Sequence, residues 1–177
     1  MSLSSQAHRK EAPSHLSFYI VTVSTSKSRL AKKGLPPDDV SGELIRRRVI
    51  EEGHQVAGKT IIPDGLATIR NLVRKLINNE TVDAIILTGG TGITHADVTI
   101  EAVTPLLEKP LPGFGELFRR ISFETVGAAA VLTRATAGVA KGKAVFCLPG
   151  SPDSVKVALE KLIIPETPHI IKHARER

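Results

Sequence analysis

Two aspartates and a run of glycines and threonines carry the chemistry of this sequence. A short apolar run, Ile85-Ile86-Leu87, enters the turn Thr88-Gly89-Gly90-Thr91-Gly92, and a helix start follows near Asp97. Glycines let the backbone turn tightly and approach a ligand, with N–H groups and Thr hydroxyls free to hold oxyanions. A helix N-terminus adds its positive end to the same place. Such a loop suits a phosphorylated small molecule. The plainer reading is a tight βα turn with Asp97 as an ordinary N-cap. Asp64 stands at a second strand-end turn and is also an N-cap candidate. Together, two carboxylates beside a phosphate cradle could hold Mg²⁺, which favours carboxylates plus substrate phosphates. The ion would offset charge in phosphoryl or nucleotidyl transfer. Glu101, one turn beyond Asp97 on the expected helix face, is placed to assist.

Other chemistries fit less well. Gly53-His54-Gln55-Val56-Ala57-Gly58-Lys59-Thr60 matches the P-loop pattern letter for letter. That motif needs a strand before it and a helix after it. Here a helix precedes, and Thr60-Ile61-Ile62-Pro63 reads as strand. His95 beside Asp97 lacks a second His or Cys cluster, which argues against zinc. There is no G-x-S-x-G elbow for a serine hydrolase, and Gly150-Ser151-Pro152 reads as a helix start.

The elements that must position these residues alternate between strand and helix, the pattern of an α/β layer fold. Strands are expected over Phe18 to Val23, Gln55 to Ile62 and Val82 to Leu87. A polar loop is expected from Ser24 to Val40, then a helix from Ser41 to Gly53. Asp64 caps a helix with Leu66, Ile69, Val73 and Leu76 at helical spacing. Helices are also expected over Val98 to Leu107, Gly113 to Thr125 (burying Leu117, Ile121 and Phe118) and Gly127 to Arg134. Thr136 to Ala140 and Lys143 to Leu148 form a hairpin around Lys141-Gly142, which puts one antiparallel strand in a mostly parallel sheet. Ser151 as N-cap and Pro152 at the first helical position open the last long helix. The turns Ser24 to Ser41, Thr88 to Asp97 and Pro149 to Asp153 all leave C-terminal strand ends, the edge where open α/β sheets bind ligands.

At 177 residues, a single domain over 16–177 with a flexible tail over 1–15 is expected. The tail has no apolar core of a signal peptide, and no apolar run is long enough to span a membrane. The lone cysteine, Cys147, lies in an apolar run and reads as a packed core thiol, which suits the cytoplasm. A net charge of +6 fits anionic ligands. With aromatics at only 3%, a stacking platform for nucleic acid is disfavoured. The run Arg46-Arg47-Arg48 reads as a solvated helix face or an oligomer contact.

From Phe18 onward the sequence resembles the MoaB/Mog family of molybdenum cofactor biosynthesis proteins, and within it MoaB. The resemblance rests on Thr22-Val23-Ser24, Asp39-Val40-Ser41-Gly42, Ile62-Pro63-Asp64, Leu87-Thr88-Gly89-Gly90-Thr91-Gly92 and Asp97-Val98-Thr99 with Glu101-Ala102. Pro112-Gly113-Phe114-Gly115-Glu116, Ser122-Phe123, Arg134 with Ala137-Gly138-Val139, and Leu148-Pro149-Gly150-Ser151 extend it. Ile100 departs from a frequent Pro, and Thr133 from a frequent Ser. The resemblance implies a three-layer α/β/α domain with a mixed, mostly parallel sheet, assembling as homotrimers or hexamers. It implies molybdopterin as substrate, ATP as co-substrate and Mg²⁺, with AMP transferred to the terminal phosphate. Asp64 and Asp97 fall on the family's functional acidic positions. Ser24, Ser41, the Thr88-Gly89-Gly90-Thr91-Gly92 loop, Glu101, Arg134 and Pro149-Gly150-Ser151 would line the ligand site. Other molybdenum cofactor enzymes are implied as partners. A non-catalytic protein binding molybdopterin or a precursor is the alternative within the family.

Overall fold

Apolar runs with few polar interruptions build strands that are buried on both faces, as a parallel sheet requires. The computed structural model describes residues 12–176, so most of the expected tail lies outside the described residues. The strands are β1 (Ser17–Val23), β2 (Gln55–Ile62), β3 (Ala84–Thr88), β4 (Lys109–Pro110), β5 (Thr136–Ala140) and β6 (Lys143–Leu148). Among the described residues they form one sheet in the order β2-β1-β3-β6-β5-β4. β1 pairs in parallel with β2 and β3, and β3 in parallel with β6. β5 runs antiparallel to both β6 and β4. The chain thus lays β2 on one side of β1 and β3 on the other. That reversal opens a crevice at the C-terminal ends of β1 and β3.

The helices are α1 (Thr25–Lys32), α2 (Val40–Glu51), α3 (Leu66–Ile77), α4 (Thr99–Val103), α5 (Pro112–Val126), α6 (Pro152–Ala158) and α7 (Ile164–Arg175). Side chains alternate across the pleat, so each strand feeds two cores. On one face Phe18, Ile20, Ile86 and Phe146 meet Ile45 and Val49 of α2, Phe118 of α5 and Val155 of α6. On the other, Val21, Ile85, Leu87 and Val145 meet Ile69 and Val73 of α3 and Val103 of α4. This is the expected three-layer arrangement. Each fully buried Ile or Phe contributes about 1.5–3 kcal/mol relative to exposure. Cys147 is fully buried, and burial pushes its thiol pKa up to about 12, an inert packed group. Among the described residues no helix is long and apolar enough to cross a membrane.

Several local expectations are corrected. The loop expected from Ser24 to Val40 contains α1, whose Lys- and Ser-rich sequence has no apolar stripe to reveal it. α2 is capped by Asp39, whose side chain accepts from Gly42 N, so Ser41 sits inside the helix. The small-residue segment Gly127–Leu132 is 3₁₀ rather than α. Leu117 is 49% exposed, whereas Phe118 is fully buried as expected. A π-helical turn, Leu159–Ile163, joins α6 to α7, whose first turn carries Pro165. Proline brings no N–H to the ladder, so irregular pairing just before it costs little. The Lys-Gly turn is as expected, with Lys141 at φ 49° and Gly142 at φ 71°.

Candidate functional site

At the C-terminal edge of the sheet, β1, β3 and β6 end within a few residues of one another, and three turns converge. Gly89 and Gly90 leave β3 with φ of 98° and 62°, which l-residues with a Cβ rarely adopt. Gly89 N donates to Leu148 O at 3.0 Å, tying the turn to the end of β6. Thr99, buried at the start of α4, donates its hydroxyl to Gly89 O at 2.9 Å, and its N–H donates to Gly90 O at 2.9 Å. The glycine turn is therefore clamped from both sides.

An open cleft of about 320 Å³ lies against this turn, bordered by Gly90, Gly92, Asp97, Arg134, Gly150 and Ser154. A smaller hollow of about 170 Å³ lies on the other side of Gly89 and Gly150, bordered by Ser24, Lys27, Ser41 and Thr88. Gly150 and Gly89 separate the two. A Cβ on Gly150 would stand 3.4 Å from Gly89 Cα, so this wall is thin because both residues are glycine.

Asp64 and Asp97 flank the same turn, but neither caps a helix. α3 starts after Gly65, with no side-chain cap. Asp64 Oδ2 instead accepts from Thr25 N and Thr25 Oγ1, both at 2.8 Å, and its Oδ1 faces Gly90. α4 starts after Val98, also uncapped by a side chain. Asp97 Oδ2 accepts from Thr94 N at 2.9 Å and Thr94 Oγ1 at 2.6 Å, closing the loop back toward Gly92. Hydrogen bonding by the Thr94 hydroxyl outweighs partial burial. With backbone N–H groups of Thr94 and Gly92 and the charge of Arg134, it holds the Asp97 carboxyl below its ordinary pKa.

Glu101 departs from expectation. Asp97 precedes the helix, so the two do not share a helix face, and Glu101 forms an ion pair with Arg134. The hydroxyls are also partly committed. Ser41 Oγ donates to Gly150 O at 2.8 Å and Thr88 Oγ1 to Pro149 O at 2.9 Å. Their protons fasten the three turns together, which leaves backbone N–H groups, with Lys27 and Arg134 beside them, as donors for an anion. Ser24 caps α1, accepting from Lys27 N at 3.4 Å. Ser151 caps α6 and donates to Ser154 Oγ at 2.7 Å. It is Ser154, one turn into α6, that borders the cleft. Thr91 is largely buried but, as expected, borders the cleft.

The P-loop match dissolves in this geometry. Gly53, at φ 79°, follows α2 as a helix-ending residue. Gly53 N donates to Ile50 O and His54 N to Val49 O, both at 3.0 Å. Lys59 projects from β2 to Asp39 Oδ2 at 3.1 Å and Glu43 Oε1 at 2.5 Å. Burial pulls its pKa down, but bonds to Glu43 and Asp39 prevail and raise it. Lys59→Ala is expected to leave nucleotide affinity nearly unchanged by calorimetric titration. A 100-fold loss, about 2.7 kcal/mol, would restore the P-loop reading.

Residues 20–169 match the model of the probable molybdopterin binding domain. The chain belongs to the MoaB/Mog family of molybdenum cofactor biosynthesis proteins. Molybdenum cofactor biosynthesis protein B of Bacillus subtilis (strain 168) is 43% identical over 175 residues, covering 98% of this chain and 99% of that one. A molybdopterin adenylyltransferase of Pyrococcus furiosus is 43% identical over 175 residues, covering 97% and 98%. A crystal structure of molybdenum cofactor biosynthesis protein B superimposes with a TM-score of 0.84 at 40% identity, covering 94% of this chain and all of that one.

Three residues at this candidate site escaped the sequence reading. Lys27 was hidden because α1 reads as loop, although Ser24-Thr25-Ser26-Lys27 directly follows a strand. Ser154 was masked by Ser151, whose capping signal is stronger. Asp39 accepts from Thr22 Oγ1 at 3.0 Å and fixes the start of α2, which carries Ser41. The Asp39-Val40-Ser41-Gly42 run holds that information, but only as a cap.

Proposed function

We propose that this protein binds molybdopterin and transfers AMP from ATP onto its terminal phosphate. The observation that carries the proposal is the clamped glycine turn lying between Asp64 and Asp97, in a chain of this family. The activity for which the Pyrococcus furiosus relative is named supports the same reaction. A phosphate oxygen of molybdopterin attacks the α-phosphorus of ATP, the α–β bridging bond breaks, and pyrophosphate leaves. The nucleophile is already anionic, so the reaction needs charge control and alignment more than a base.

Backbone N–H groups of the Gly89-to-Gly92 turn and the N-termini of α1 and α6 suit phosphate oxygens. Lys27 and Arg134 add positive charge from the two hollows. Arg134 would exchange Glu101 for a ligand oxygen. The acidic pair fits Mg²⁺. Each aspartate commits one oxygen to a threonine, and among the described residues no cluster of three His, Cys, Asp or Glu side chains forms a protein cage. That donor set suits an ion that completes its shell with phosphates and water. When bound there, Mg²⁺ would neutralise charge developing on the transferred phosphate.

Incubating pure protein with molybdopterin and Mg·ATP should release pyrophosphate and adenylylated molybdopterin in equal amounts. Tight molybdopterin binding without pyrophosphate would instead support the carrier reading. We propose a cytoplasmic setting, supported by a buried, unpaired Cys147. We also propose assembly as a homotrimer or hexamer. Phe123, Val126, Val131 and Leu132 are exposed along one stretch, with Val131 at 80%. Closed symmetry would cover such a patch. Light scattering at micromolar concentration should give a multiple of three subunits, and a clean monomer would count against it.

A further inference from the structure

The last two turns of α7 carry His169 and His173, four residues apart and therefore on one helix face. Their rings meet edge to face with centroids 4.6 Å apart, and Nε2 of one lies 2.8 Å from Nε2 of the other. Nδ1 of His173 lies 2.7 Å from Glu176 Oε2, and Nδ1 of His169 lies 3.4 Å from Glu166 Oε2. A carboxylate beside each Nδ1 suits a proton on that nitrogen, most closely at His173. Two neutral rings of that tautomer turn their Nε2 lone pairs toward each other. In that tautomer the facing lone pairs suit a cation between the rings, a shared proton or a metal ion.

We infer that His169 and His173 form a binding site for a tetragonal divalent transition metal, Cu(II) or Ni(II), separate from the glycine-turn cleft. Imidazole nitrogens with a carboxylate behind Nδ1 are the usual pairing of ligand and outer-shell support. With metal–nitrogen bonds of about 2.0–2.1 Å, nitrogens 2.8 Å apart subtend about 85°. That is near the right angle of a tetragonal ion and well short of the tetrahedral angle zinc prefers. Both side chains reach solvent, at 29% and 45% exposure. An open cavity of about 450 Å³ adjoins them, with Glu108 and Lys109 on its wall. Among the described residues no third His, Cys, Asp or Glu completes a three-ligand group. Water or a small ligand in the cavity would fill the remaining positions. Gly142, at the N-terminal end of β6, borders the same cavity, so this site lies at the opposite end of the sheet from the glycine turn.

The test is a Cu(II) titration of the tag-free full chain, followed by electron paramagnetic resonance and visible absorption. About one equivalent per chain should bind with the signature of imidazole nitrogens, and Zn²⁺ should compete poorly. His169→Gln and His173→Gln should each weaken binding by at least about 100-fold, and Glu176→Gln by about 10-fold. Circular dichroism should show helix content unchanged. Copper binding that survives the His169→Gln/His173→Gln double variant belongs to other groups and overturns the assignment. So does wild-type protein that binds no copper, in which the ring contact is a hydrogen bond only.

Discussion

Asp97→Asn is expected to lower AMP transfer by about 100-fold or more while leaving the fold intact. The structure explains why the two effects separate. Asp97 does not cap α4, and its contribution to the loop is the pair of bonds Oδ2 accepts from Thr94. An asparagine carbonyl accepts the same two bonds. Its amide carries no charge to fix a cation or balance the one that Arg134 brings. Molybdopterin binding should persist or tighten, because a negative charge beside the phosphate is gone. Asp97→Ala differs, since it abandons both Thr94 donors at about 1 kcal/mol each. The pH dependence has a definite sign. The folded pKa of Asp97 lies below its ordinary 3.8, so its stabilisation is complete above 3.8 and is lost as pH falls through the folded value. Asp97→Asn should lose less stability across that acid window in denaturant titrations. Wild-type turnover in Asp97→Asn would remove the residue from the reaction, and Asp64→Asn asks the same of its neighbour.

The fold was largely legible because its central strands β1, β3 and β6 are mostly apolar runs and α3 has a clean helical period. Both signals report burial, which composition and spacing encode locally. α1 was not legible because it buries only Ser28 and takes its definition from the Ser24 cap and from Thr25 bound to Asp64. The placement of Asp64 and Asp97 beside one turn followed from their positions at strand ends. Their partners did not. Asp64 binds Thr25, thirty-nine residues away, and that pairing exists only once β1 and β2 lie side by side. Glu101 illustrates the opposite error. Spacing along an imagined helix joined it to Asp97, whereas the fold delivers Arg134 from the segment before β5. Local chemistry thus pointed to the candidate site, and tertiary pairing assigned its charges.

Gly89→Ala should be among the most damaging single substitutions in the chain, costing about 3 kcal/mol or more. Two penalties coincide there. At φ 98° an alanine leaves its allowed backbone region, and its Cβ would be driven into the carbonyl oxygen of Val23. That oxygen belongs to the end of β1, held by parallel pairing with β2 and β3, so it cannot swing aside as a side chain would. The turn cannot retreat either, because Leu148 O and the Thr99 hydroxyl hold Gly89 from the other directions. Gly53→Ala supplies the control. It has φ 79° but nothing within 4 Å of the new Cβ, so only the backbone penalty of about 1–2 kcal/mol applies. Urea unfolding should therefore move the midpoint far more for Gly89→Ala than for Gly53→Ala at similar slopes. Equal losses would mean that the close approach of β1 to the glycine turn adds nothing beyond backbone strain, and that Gly89 is a turn residue only.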